Sequence, residues 1–153
     1  MSVRSLVLSL GTIAFLAIAP AAKADQYKLY AGELSLQITG TTYSEDFTVA
    51  HIDATVAGFG TVIGNFTGTV TYDVNLLDGT FIGIARKTSA NGGTLYEVVL
   101  GQLSPDFSTS QGVGIPYGGT GRFRKAHGFA FFETQFTSAT TGELQFLGLI
   151  SLK

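Results

Sequence analysis

The sequence predicts an all-β domain of seven or eight strands behind a cleavable export signal. Three observations carry this. Apolar and polar residues alternate with period two through almost every segment after residue 25, the pattern of half-buried strands. No segment there shows a 3.6-residue apolar stripe, so no helix is expected to cover a sheet face. The breaks between alternating segments carry turn chemistry: Asp78-Gly79, Asn91-Gly92-Gly93 and Thr140-Thr141-Gly142. Strands joined by short turns must close on themselves or fold over to bury their apolar sides. A barrel does this and removes exposed edges; a sandwich satisfies the patterning equally.

Taken in order, the chain opens with Arg4 as a short basic region and an almost uncharged apolar run from Leu6 to Pro20. Ala22-Lys23-Ala24 then reads as an A-x-A cleavage signal, so residues 1–24 are a signal peptide and the mature chain starts at Asp25. The run is short for a membrane span, and the mature protein is expected to be secreted or periplasmic, without a membrane span of its own. Residues 25–153 form one domain.

The first mature strand places Tyr30, Gly32, Leu34, Leu36 and Ile38 on one face, against Glu33, Ser35, Gln37 and Thr39. In the next, Ala50, Ile52, Ala54 and Val56 form an apolar face, opposite Phe47, Val49, His51, Asp53 and Thr55. Phe66, Gly68, Val70, Tyr72 and Val74 then alternate with Thr67, Thr69, Thr71 and Asp73. Further strands are expected near 80–86, 94–102, 126–137 and 143–152, all rich in β-branched and aromatic residues. Ser104 to Tyr117 breaks the pattern. Pro105, Pro116 and the glycines at 112 and 114 argue against a regular central strand, so a long irregular loop is expected. No internal repeat is visible beyond a recurrence of Gly-Thr.

Composition excludes several functions. After removal of Arg4 and Lys23, 7 basic residues face 11 acidic ones, a net charge of −4, which argues against nucleic acid. The chain has no cysteine and 2 histidines, so it holds together without disulfides and lacks the ligands of a closed zinc site. No cofactor motif is present: there is no Walker pattern and no G-x-S-x-G. Asn65-Phe66-Thr67 is formally a sequon, and we read it as a chance match.

The most distinctive stretch is Gly118-Gly-Thr-Gly-Arg-Phe-Arg-Lys-Ala-His-Gly128. Its glycines predict a tight turn feeding the strand that starts near Ala126. Because the turn leads into a strand rather than a helix N-terminus, a phosphate-loop reading is removed. Two readings remain: a barrel corner with Arg122 and Arg124 in solvent, or arginines two apart on one face, aimed at an opening where they hold an anion.

This stretch resembles the G-G-T-G-[KR]-F-R-x-A-R-G-Y-A segment of the dirigent proteins, which share a β-barrel with the allene oxide cyclases. Gly118, Gly119, Thr120, Gly121, Arg122, Phe123, Arg124, Ala126, Gly128 and Ala130 match, with Phe129 in place of Tyr and His127 in place of the second Arg. The match covers roughly residues 118–152. The resemblance implies a single antiparallel barrel of about eight strands, often trimeric, with a largely apolar cavity and no cofactor. It also implies activities that steer phenoxy radicals or cyclise a reactive intermediate. A histidine changes charge in the physiological range where an arginine does not, so an anion-holding role at position 127 is conditional on pH.

Other polar groups are candidates as well. His51 and Asp53 share one strand face, where a carboxylate can orient and raise an imidazole; that face is equally suited to solvent. Arg86, Tyr96, Glu97 and Tyr117 stand as isolated polar points without an assignable partner. The sequence therefore predicts an exported barrel that binds an apolar or phenolic small molecule, with Arg122, Arg124, His127, His51 and Asp53 as the candidate catalytic set. The alternative is a non-catalytic binding or structural protein of the cell envelope. An open cavity with two or more of those side chains inside favours the first reading. A self-filled barrel with them in solvent disfavours it.

Overall fold

The structure, a computed structural model, describes residues 26–153. The signal-peptide segment 1–24 lies outside the described residues. The chain forms eight strands in order: β1 (Tyr27–Tyr43), β2 (Val49–Gly60), β3 (Gly64–Asn75), β4 (Thr80–Ser89), β5 (Thr94–Leu103), β6 (Thr109–Gly119), β7 (His127–Phe136) and β8 (Thr141–Ser151). Each pairs antiparallel with its neighbours in sequence, and β8 returns to β1, so the sheet is a closed barrel. Closure decides between the two architectures that the patterning allowed. It also gives every strand a partner on both sides, apart from residues 115–119 of β6 on the β7 side, which suits a chain without disulfides.

On β1, β2 and β3 the apolar face of the alternation is the buried one. Tyr30, Leu34, Leu36, Ala50, Ala54, Val56, Phe66, Val70, Tyr72 and Val74 all belong to the core. On β7, Ala130 and Phe132 face inward while His127, Phe129 and Phe131 face outward. The outer face of β1–β3 is polar along its middle, with Glu33, His51, Asp53, Thr71 and Asp73, while Leu29, Tyr43, Val49 and Phe59 are exposed near the strand ends. No helix among the described residues is long and apolar enough to cross a membrane.

The expected irregular loop from Ser104 to Tyr117 is corrected: only Ser104–Ser108 is loop, and β6 is a full strand. Its glycines are there for packing. A Cβ on Gly112 would collide with the Leu100 carbonyl oxygen and with the Phe132 ring, so the small residue lets β6 lie close to both neighbours. Pro116 is tolerated because pairing with β7 runs only from Thr109 to Gly114. Its missing N–H therefore leaves no ladder bond unmade on that side.

The two ends of the barrel differ. At one end the turns between β2–β3, β4–β5 and β6–β7 converge with the start of β1 and the end of β8, and the centre is filled. Ile63, Leu95, Phe123 and Ile150 are fully buried there. We call this the closed end. At the other end, loops 44–48, 76–79, 104–108 and 137–140 surround a mouth. Four backbone hydrogen bonds tie this rim together: Leu76 N–H to Thr48 O, Leu103 N–H to Gly79 O, Phe136 N–H to Ser108 O, and Ile38 N–H to Thr140 O, all between 2.7 and 2.9 Å.

Candidate functional site

The Gly118–Gly128 segment forms the plug of the closed end. Gly121 takes φ +58° and opens a single 3-10 turn, Gly121–Phe123, that drives the Phe123 ring into the barrel. A Cβ at Gly119 would collide with the Thr94 carbonyl oxygen, so this strand end can approach β5 only as glycine. The Arg122 guanidinium lies 4.7 Å from the Phe123 ring centroid and donates to Ile63 O at 3.0 Å and Ser89 Oγ at 3.1 Å. It thereby ties the β6–β7 connection to the turns after β2 and β4. Arg124 sits at the helical end of the same turn and is exposed. Because the turn replaces the expected strand, the two arginines do not share a strand face. His127 is exposed, with Nδ1 3.0 Å from Lys125 O and its ring edge-to-face with Tyr27 at 5.6 Å.

His51 and Asp53 lie on the outer wall, as one of the two readings held. The nearer partner of His51 is Asp73 on β3: Nδ1 to Oδ1 is 2.6 Å, against 3.9 Å from Nε2 to Asp53 Oδ1. The hydrogen bond to Asp73 raises the imidazole pKa above its usual value, with the charges of Asp73 and then Asp53 adding to it. Asp53 accepts from Thr71 Oγ1 at 2.9 Å.

The cavity runs from the barrel centre towards the mouth, and none of Arg122, Arg124, His127, His51 and Asp53 lines it. The arginines and His127 belong to the plug region, and the period-two face of β2 turns His51 and Asp53 outward. Water-sized molecules can place their centres in about 80 Å³ of this cavity. Its walls are almost wholly apolar, including Leu36, Val70, Phe81, Phe132 and Phe146.

The polar groups that do line the cavity are outside the candidate set drawn from sequence. Glu97 on β5 is 1% exposed and Lys87 on β4 is 7% exposed, with Lys87 Nζ 2.5 Å from Glu97 Oε2. Ala85 lies directly across from Glu97, and Lys87 is two residues on, so the pair is a diagonal cross-strand contact on the inner face. Lys87 Nζ is 3.3 Å from the Tyr30 hydroxyl, which in turn donates to Glu97 Oε1 at 3.1 Å. The ammonium also lies 4.8 Å from the Phe146 ring centroid. Burial, then the Glu97 charge, then their hydrogen bond push the Tyr30 pKa well above the usual phenol value, so Tyr30 is a neutral donor at all ordinary pH.

Glu97 Oε2 is fully buried and sits 2.5 Å from Lys87 Nζ, so its charge is met by the ammonium and is not offered to the cavity. Three hydroxyls that line the cavity, those of Tyr72, Ser110 and Thr134, have no hydrogen bond among the described residues. Burial pushes the Tyr72 pKa up to about 12. The site therefore presents hydroxyl groups within an apolar chamber, with no net charge from the Lys87–Glu97 pair.

At the mouth, two loops are built alike. Ser44-Glu-Asp-Phe-Thr48 and Ser104-Pro-Asp-Phe-Ser108 form a repeat that periodicity does not reveal. In each, the serine hydroxyl donates to the aspartate (2.7 and 2.6 Å), and the aspartate accepts the N–H and hydroxyl of the residue two further on. These bonds hold Asp106 at a pKa of about 2 and lower that of Asp46. Each loop forces its phenylalanine to positive φ, +56° at Phe47 and +58° at Phe107, with the rings 69% and 51% exposed.

No protein-family model matches the sequence, and no curated protein sequence matches it. Among solved structures, the fold is similar to that of a pterocarpan synthase dirigent protein. The TM-score is 0.53 over 90% of this chain and 96% of that one, at 14% sequence identity. With the closed ring of eight antiparallel strands, this similarity establishes that the chain folds as a dirigent-like β-barrel.

Proposed function

We propose that the protein is an exported barrel that binds a neutral, largely apolar small molecule carrying a hydroxyl group, such as a phenol, and guides its cyclisation or coupling without a cofactor. The observation that carries this reading is an apolar cavity whose lining offers the unpartnered Tyr72 hydroxyl. A hydroxyl left without a partner in an apolar chamber is costly, and a ligand hydroxyl is a group that satisfies it. Tyr72 then donates to the ligand oxygen, and the Lys87–Glu97–Tyr30 cluster forms a charge-neutral part of the wall. A water-poor chamber fixes the ligand's conformation, which is sufficient to choose one path for a reactive intermediate. The likeness to a pterocarpan synthase dirigent protein supports such chemistry by analogy of fold. Export rests on the Ala22-Lys23-Ala24 signal.

The test compares 2-naphthol, naphthalene and 2-naphthoate in a fluorescence titration. Naphthol is expected to bind about fivefold tighter than naphthalene, the worth of a neutral hydrogen bond of about 1 kcal/mol. Tyr72→Phe should narrow that gap, naphthoate should bind worst, and Val70→Phe should block all three by filling the cavity. Equal affinity for naphthol and naphthalene, or full binding by Val70→Phe, would refute the reading. A non-catalytic binding role is the second reading, favoured by the small volume of the cavity. A tightly bound phenol that emerges unchanged from an oxidative-coupling mixture, with an unaltered product ratio, would select it.

The outer wall also exposes Ile82, Ile84, Ile115, Tyr117 and Phe131 on β4, β6 and β7, opposite the polar β1–β3 side. We infer from this one-sided patch that copies associate through it. Light scattering should report a multiple of the protomer mass, trimeric by the family resemblance, and Ile84→Lys with Phe131→Glu should give the monomer. A monomeric wild type would remove the inference.

A further inference from the structure

The charges of the molecule are sorted along the barrel axis. Lys28, Arg122, Arg124, Lys125 and Lys153 all stand at the closed end and all are exposed; they are five of the seven bases in residues 26–153. The loops of the mouth carry Glu45, Asp46, Asp78 and Asp106 and no lysine or arginine. The ion pairs among the described residues are His51 with Asp53 and Asp73, and Lys87 with Glu97. None of the five closed-end bases has a carboxylate partner among the described residues. Arg122 is hydrogen-bonded, but to a carbonyl and a hydroxyl, which leave its charge uncompensated.

Five unpaired cations at one end of a chain whose overall charge is negative repel one another, and an anionic partner relieves that repulsion. The same end displays apolar surface. Leu29 and Phe59, each within two residues of its strand terminus, are more than half exposed. Bases interleaved with Leu and Phe are the composition that seats at a lipid interface: the cations meet head groups and the apolar side chains enter the acyl boundary. A soluble anionic polymer would use the cations and leave the apolar groups idle. We propose that the closed end docks on an anionic lipid surface, with the acidic mouth facing away from it. Nothing in this depends on the ligand inside the barrel.

The test is co-sedimentation of the purified protein with vesicles of phosphatidylcholine alone, and with about a third phosphatidylglycerol, at low and high salt. Binding is expected only to the anionic vesicles and should weaken as salt screens the surface. Each base removed should lower partitioning about fivefold, so Lys28→Gln/Arg124→Gln/Lys125→Gln should lose roughly 100-fold. These three side chains are exposed, and an unchanged melting temperature verifies that the variant is folded. Arg122 is left intact because it clips the plug. Equal binding to neutral vesicles, salt-independent binding, or wild-type partitioning by the triple variant overturns the proposal. So does binding to dextran sulfate with none to vesicles, which would assign the surface to a polymer.

Discussion

Replacing Lys87 by methionine removes the only cation paired with the Glu97 carboxylate among the described residues and leaves the apolar stem nearly intact. Glu97 is 1% exposed, and only the Tyr30 hydroxyl would remain bonded to it. Breaking a buried pair by deleting one partner costs about 3–5 kcal/mol, because the remaining charge is stranded. For a domain of this size that is a drop of roughly 12–20 °C in Tm. Lys87→Met/Glu97→Leu should recover most of the loss, since a buried pair replaced by apolar groups is often neutral or stabilising. Urea denaturation of wild type, both single variants and the double variant gives the coupling directly. The Lys87→Met deficit should also depend on pH. An isolated buried carboxyl has a folded-state pKa above its unfolded value of about 4.3. The deficit is therefore small below that value, grows as pH rises and levels off above the folded pKa. A Lys87→Met variant within about 1 kcal/mol of wild type, and flat in pH, would show that the pair does not carry this electrostatic weight.

Two further outcomes concern residues that the sequence singled out. Arg122→Met should destabilise by about 2 kcal/mol through loss of the bonds to Ile63 O and Ser89 Oγ, while leaving naphthol affinity unchanged; a loss of affinity without loss of stability would return Arg122 to the binding site. His51 should titrate by NMR above the usual 6.5, and Asp73→Asn should bring it down more than Asp53→Asn, because the bond to Asp73 dominates. Being raised, this group contributes stability below the unfolded-state pKa that fades as pH climbs through the folded one. The reverse order of the two variants would contradict the geometry.

The fold is legible in the sequence because alternation on β1–β3 is clean enough to sort each strand into two faces, and because Asp-Gly and Asn-Gly-Gly mark the turns; on β7 both faces carry phenylalanine, so the inner one shows only in the structure. The resemblance of Gly118–Gly128 points to the right barrel, yet Arg122 is an anchor of the plug and Arg124 is exposed beside it. A glycine-arginine run says that the backbone turns sharply; it does not say towards what. The cavity's polar groups are hidden for a local reason. Arg86-Lys87-Thr88-Ser89 looks like the polar end of a strand, and a strand that stops at residue 86 never places Lys87 on the inner face with Ala85. Once the alternation is carried to Ser89, Lys87 points inward, and the β4–β5 hairpin brings Glu97 to it. β6 is hidden because Gly and Pro ordinarily break strands, and only the crowding against Phe132 and the absent partner beyond Gly114 explain them. The paired serine–aspartate loops escape because five residues recurring once fall below what periodicity can detect.

The four backbone bonds around the mouth have a kinetic meaning. A barrel whose entrance loops are each bonded to a neighbouring loop or strand holds those loops to its frame. Passage in and out must then be governed by side chains turning about their own bonds, which in exposed groups takes picoseconds to nanoseconds, whereas loop excursions run to microseconds. Such a vessel exchanges its contents without rearranging its frame, and its selectivity is set beforehand by the shape of the chamber.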